Sequence, residues 1–110
     1  MINEQFLFLI DVAKLIIYAN ENGFTLTGGE LFRTREQQEI YVKSGKSNTS
    51  NSNHLRRLAI DLHGFKNKVL LTSEEMKPLG DYWESLNPLN RWGGNFKNLK
   101  DGVHFERNLK

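Results

Sequence analysis

The chain has 110 residues and no cysteine, and its fifteen lysines and arginines stand against thirteen aspartates and glutamates for a net charge of +2. That length is one domain, residues 1–110, with a modest core and little room for a second module. The missing cysteines exclude disulfides and thiolate metal ligands. The mild positive charge fits an acidic polymer as partner but does not by itself point to nucleic acid.

A first helix is expected between Asn3 as N-cap and Gly23 as stop. Within it Phe6, Leu9, Ile10, Ala13, Ile16 and Ile17 recur at helical spacing, so they are assigned to the back wall of the core. A membrane-surface face is the alternative, disfavoured because a domain this small needs every apolar face it has. Asp11 and Lys14 interrupt the stretch, which is too short to span a bilayer, and no secretory signal is visible. Phe24 to Thr27 alternates as a short strand, ended by Gly28 and Gly29. Thr34-Arg35-Glu36-Gln37 has the form of a capping box, which predicts a helix over about residues 35–42, closed by Ser44 and Gly45. Arg33 then stands just before a helix N-terminus, where guanidinium and dipole both favour an anion; a solvated surface arginine is the alternative. Residues 46–53 are polar and of low complexity, a loop leading into His54. Arg56 and Arg57 make a basic turn with no aromatic platform, a weak nucleic-acid signal.

The chemistry concentrates in residues 52–62. Asp61 lies between Ile60 and Leu62, and burying it is costly unless a positive group meets it, an arginine or a metal. On a continuous helix His54 and Asp61 would sit roughly 10 Å apart along the axis. That is too far for two ligands that must each lie about 2 Å from one zinc. A tight turn over residues 55–57, followed by a strand from Leu58, would bring them together. Ala59, Asp61 and His63 would then share one face, and Leu58, Ile60 and Leu62 the core face.

Farther along, Thr72-Ser73-Glu74-Glu75 is a second capping box, opening a helix through about Leu86. Pro78 falls too deep for a clean first turn, so an irregular start is expected. After Asn87-Pro88, residues 91–96 form strand and turn. Gly93 and Gly94 allow close backbone approach, and Trp92 either lines a cleft or packs in the core. Asp101-Gly102 is a turn, followed by an alternating strand with Val103 and Phe105 inward and His104 and Glu106 opposite. His54, Asp61 and His104 would make a three-ligand zinc set with a fourth position open, the catalytic rather than the closed arrangement. Asp101 could then accept a proton from an attacking water. His63 lies on the face of Asp61, about 7 Å away by strand rise; it is taken as a neighbour, although it could in principle replace one of the two histidine ligands.

Ser52, His54, Ala59 and Asp61, followed by Trp92, Gly93 and Gly94 and then by Asp101, His104, Phe105 and Glu106, resemble the zinc peptidases that cut peptidoglycan stem peptides. These are the D-Ala-D-Ala carboxypeptidases and dipeptidases, and particularly the L-alanyl-D-glutamate peptidases of phage endolysins. Arg33 and Gln37 match an upstream element of the family, and the resemblance spans about residues 24–107. It implies a hedgehog/D-Ala-D-Ala peptidase-like α+β fold, with a small, mainly antiparallel sheet, helices packed on one side and Zn2+ on the open face. It implies His54, Asp61 and His104 as metal ligands, Asp101 as base, and Arg33 as substrate-binding and oxyanion-stabilising. Gln37, Ser52 and Trp92 are the further substrate-binding candidates. Asn95 and Phe96 depart from the Asp and Trp common there in the family.

In that family the relatives that remove D-alanine carry glutamate where this chain has Asp101, and the L-alanyl-D-glutamate peptidases carry aspartate, so the resemblance implies the L-Ala–D-Glu bond. A D-Ala-D-Ala carboxypeptidase and a non-catalytic zinc- or peptidoglycan-binding module are the alternatives, and a small basic nucleic-acid-binding protein is a third. The expected partner is the stem peptide, with no nucleic acid and no membrane insertion, and with the chain a monomer. The expected setting is synthesis in the cytoplasm without a signal peptide and action on the cell wall after phage or prophage release.

Overall fold

A computed structural model describes residues 1–47, 49 and 52–109. Helix α1 runs Ile2–Glu21. It ends where Gly23 enters the left-handed region at φ +83°, a conformation that costs glycine little, and the Phe24 amide turns back to the Ala19 carbonyl at 2.9 Å. Strand β1 (Thr25–Gly28) follows, and then α2 (Arg35–Lys43), whose Thr34 side chain accepts from the Gln37 amide as the capping box predicts. A 3-10 turn, Asn53–Arg56, leads through Arg57 at φ +58° into β2 (Ala59–Lys66), in keeping with the expected tight turn and strand. A tight reversal at Asn67 and Lys68 adds the short β3 (Val69–Leu70), which the sequence reading did not anticipate.

Thr72 and Glu75 exchange hydrogen bonds, Thr72 N to Glu75 Oε1 at 2.9 Å and Glu75 N to Thr72 Oγ1 at 3.2 Å. They open a 3-10 turn, Glu74–Met76, and this irregular start lets Pro78 fall in the first turn of α3 (Lys77–Leu86), where its missing N–H costs nothing. Strand β4 (Asn90–Trp92), a 3-10 turn Gly93–Asn95 and β5 (His104–Arg107) complete the chain.

The sheet is antiparallel throughout, in the order β1-β2-β5-β4 with β3 paired to β2. Helices α1 and α3 pack on each other and on the sheet. Phe8 meets Trp83 edge-on at 5.5 Å between ring centroids, and Trp83 meets Phe105 at 6.0 Å. Leu58, Leu62, Leu79 and Phe105 are buried with them, so alternate residues of β2 and β5 are committed to this core. Asp61, His104 and Glu106 lie on the other side. This is the expected α+β architecture. No helix among the described residues is long and apolar enough to cross a membrane.

Two expectations for α1 fail. Asn3 is not the cap: the helix starts at Ile2, with Met1 in the cap position and no side-chain capping bond. The predicted core stripe is on the outside, with Phe6, Leu9, Ile10, Ala13, Ile16 and Ile17 all exposed. The buried stripe is Phe8, Val12, Leu15 and Ala19, and it carries Asp11 with it. The helix is apolar on two faces, and a charge that appeared to interrupt the core is inside it. Arg107 meets Asp11 Oδ2 at 2.5 Å and the Asn90 amide donates to the same oxygen at 3.1 Å, so the carboxylate is buried with partners.

Candidate metal centre

The antiparallel register of β2 and β5 sets Asp61 opposite His104, on the face turned away from the core. His54 reaches the same place from the 3-10 turn. The Ser52 hydroxyl accepts from the His54 amide at 3.2 Å, and the Leu58 amide closes the turn on the Asn53 carbonyl at 3.0 Å. Asp61 Oδ1 then lies 3.3 Å from His54 Nε2 and 3.6 Å from His104 Nδ1, and the three atoms fall within 4.8 Å of one another.

Among the described residues, His54 Nε2 and Asp61 Oδ1 are buried without a hydrogen-bond partner. Orphaned polar atoms of this kind are costly, and two of them converging with a third donor atom fit a cation. Two imidazole nitrogens and one carboxylate oxygen are a donor set that suits zinc. His54 Nδ1 lies 3.0 Å from the Leu31 carbonyl, which can only accept; the proton is therefore on Nδ1, and the Nε2 lone pair faces the group.

Electrostatics follow from this geometry. Burial works to raise the Asp61 carboxyl, but His104 and His54 beside it hold it well below the usual carboxylate range. Burial works to lower His104, yet Asp61 and Glu106 on either side push it up to about 9. The Asp101 carboxyl is raised, first by burial and then by the charge of Asp61.

A cleft of about 540 Å³ opens over the three residues, with Arg33, Tyr41, Ser52 and Asp101 in its walls. Asp101 is placed by backbone contact: its amide donates to the Gly93 carbonyl at 2.9 Å, and a Cβ on Gly93 would lie 2.2 Å from the Asp101 carbonyl oxygen. Arg33 is fixed rather than solvated. Its Nε donates to Glu30 at 2.7 Å and its Nη1 to Gln38 Oε1 at 2.6 Å, with Ser52 Oγ at 3.4 Å and the guanidinium over the Tyr41 ring.

Two expectations are located differently. Gln37 is half-buried away from the cleft wall, and its neighbour Gln38 is the glutamine that matters here: fully buried, it joins Arg33 to Ser47 Oγ. Trp92 is turned into the core, wedged against Gly80 and Gly94 with its Nε1 donating to the Gly102 carbonyl at 2.8 Å, so it does not line the cleft. His63, taken from the sequence as a neighbour rather than a ligand, is half-buried and outside the His–Asp–His group. Sequence reasoning missed Gln38, Glu30 and the Leu31 carbonyl. A signal for Gln38 existed: once the capping box starts α2 at Arg35, Gln38 and Tyr41 share a face three residues apart.

An α+β domain with a two-histidine, one-aspartate group on the floor of a cleft has the constellation of a site for a single metal ion with an open position. The model of the D-alanyl-D-alanine carboxypeptidase family matches residues 45–107, more than half of the chain, and the chain belongs to that family. It is 33% identical over 101 residues to the L-alanyl-D-glutamate peptidase of Listeria phage A118, a match that covers 88% of this chain but only 35% of that relative's length. Its structure is similar to that of the Serratia marcescens L-Ala D-Glu endopeptidase ChiX, with a TM-score of 0.71 and 25% identity, covering 89% of this chain and 78% of the other.

Proposed function

We propose that the chain is a zinc-dependent peptidase that hydrolyses the L-Ala–D-Glu bond of the peptidoglycan stem peptide and acts at the cell wall. The observation that carries this reading is the pair of orphaned atoms, His54 Nε2 and Asp61 Oδ1, converging with His104 Nδ1 below a cleft that Asp101 and Arg33 border. Both relatives are named for that bond.

His54, Asp61 and His104 hold the metal. When bound, zinc supplies Lewis-acid polarisation of the scissile carbonyl and lowers the pKa of water toward ~7. Asp101, raised by burial and by Asp61, is suited to take the proton of the attacking water and return it to the leaving amine. Arg33 presents a guanidinium held in place by Glu30 and Gln38, so it meets a substrate carboxylate or the developing oxyanion without first having to be ordered. Ser52 positions both His54 and Arg33. All of these residues come from one copy of the chain.

Metal analysis of purified protein, followed by digestion of purified peptidoglycan with mass spectrometry of the termini, tests the reading. One zinc per chain and new amino groups on D-glutamate are expected. Release of free D-alanine with the L-alanine bond intact would move the chain to carboxypeptidase chemistry. A full zinc complement with no cleavage of any stem peptide would make it a binding module.

A further inference from the structure

We infer that Glu106 is the positioning residue of the metal centre: clamped by Arg91, its carboxylate holds His104 in the one tautomer that turns a bare Nδ1 toward Asp61 and His54. The inference rests on the zinc reading above and adds to it a residue outside the ligand set.

Glu106 divides its carboxylate between two partners. Oε1 lies 2.8 Å from His104 Nε2, and Oε2 accepts from Arg91 Nε at 2.8 Å. The carboxylate is nearly inaccessible, whereas the arginine is half-exposed at the cleft wall. The sheet enforces the arrangement, because Arg91 and Glu106 are directly opposed in the β4–β5 register, and the Trp83 indole fixes the Glu106 carbonyl at 3.0 Å. Phe96 lies 5.6 Å from the His104 ring, and the Arg91 guanidinium lies 5.4 Å over Phe96. Arg91, Phe96 and Glu106 thus enclose one imidazole.

An ionised carboxylate can only accept, so in the neutral ring the proton sits on Nε2 and the lone pair on Nδ1. His54 is set the opposite way, with its proton on Nδ1 and its lone pair on Nε2, by the Leu31 carbonyl. Each ring is therefore held by a group that only accepts, and the two bare nitrogens meet at Asp61.

Glutamine at position 106 separates positioning from a merely structural ion pair. The amide keeps the shape, but one of its ends becomes a donor. Arg91 can only donate, so it takes the amide oxygen and leaves the NH2 against His104 Nε2. That forces the proton onto Nδ1, where it blocks the centre. Glu106→Gln is expected to weaken zinc binding at least ~10-fold in chelator competition. Adding Arg91→Met releases the amide to turn its oxygen to His104, and most of the affinity is expected to return. In the zinc-loaded wild type, 1H–15N NMR is expected to place the His104 proton on Nε2.

Wild-type affinity in a folded Glu106→Gln would overturn the inference, as would a double variant that binds more weakly than the single one. A wild-type ring bound through Nε2 would overturn it without any variant, so failure of a variant to fold leaves the question decidable. Absence of zinc from the wild type would remove this inference and the proposed function together. Correct zinc and tautomer in a protein that cuts no stem peptide would remove only the peptidase.

Discussion

Gly93→Ala tests whether backbone contact sets the geometry of the centre. Gly93 follows β4, and its carbonyl holds the Asp101 amide. A Cβ there would lie 2.2 Å from the Asp101 carbonyl oxygen and 2.9 Å from His104 Cβ. Both obstacles belong to the segment that carries the proposed base and one proposed ligand. Restoring ordinary contact requires about 1 Å of movement between the two backbones, and a misplacement of that size costs on the order of 10²-fold in rate. The strain itself is worth about 1–3 kcal/mol, which leaves the fold populated. The expected outcome is a folded variant whose kcat/KM on a stem-peptide substrate falls about 10²-fold at saturating zinc. Gly28→Ala is the control, because no atom of the described residues lies within 4 Å of its added methyl and its backbone needs no positive φ. Full activity in a folded Gly93→Ala would refute the idea that this contact holds Asp101 and His104 in register.

His54→Ala and His104→Ala are each expected to abolish stoichiometric zinc in metal analysis, while His63→Ala retains one zinc per chain; the reverse pattern would break the ligand assignment. Asp101→Asn is expected to keep fold and zinc and to lose at least ~10²-fold in turnover, and near wild-type turnover would remove Asp101 from the chemistry. Asp11→Ala leaves Arg107 buried without its closest carboxylate. A loss of about 3 kcal/mol in urea denaturation is expected, and a loss below about 1 kcal/mol would show that Glu4 and Asn90 suffice for the guanidinium.

The parts of the site that were legible in the sequence are those governed by short-range pattern. Two capping boxes located α2 and the opening of α3, because a cap is a contact between residues three apart. Asp61 between two apolar residues announced a buried carboxylate, and strand alternation placed it on the face that His104 shares. The pairing of strands is long-range, and with it the Arg91–Glu106 contact that only the β4–β5 register creates. The choice between Gln37 and Gln38 depended on the azimuth of α2 relative to the cleft, which the helical period leaves free. Trp92 could have faced either way until Gly80, on another element, provided the gap that its ring fills. On α1, two stripes of equal spacing competed, and the deciding residue, Arg107, lies 96 positions from the aspartate it meets.

The losing stripe of α1 leaves Phe6 and Ile17 more than half exposed on the surface of a 110-residue molecule. A contiguous apolar strip of that length governs colloidal behaviour more than the net charge of +2 does. About half of each of these side chains stays in water in the fold, so they contribute less to stability than the buried stripe does, and lysine or glutamate could replace several of them without opening the core. Solubility and thermodynamic stability are therefore written on opposite faces of one helix. A variant selected for high concentration and a variant selected for heat resistance would change residues that interleave in the sequence and lie on different faces of the helix.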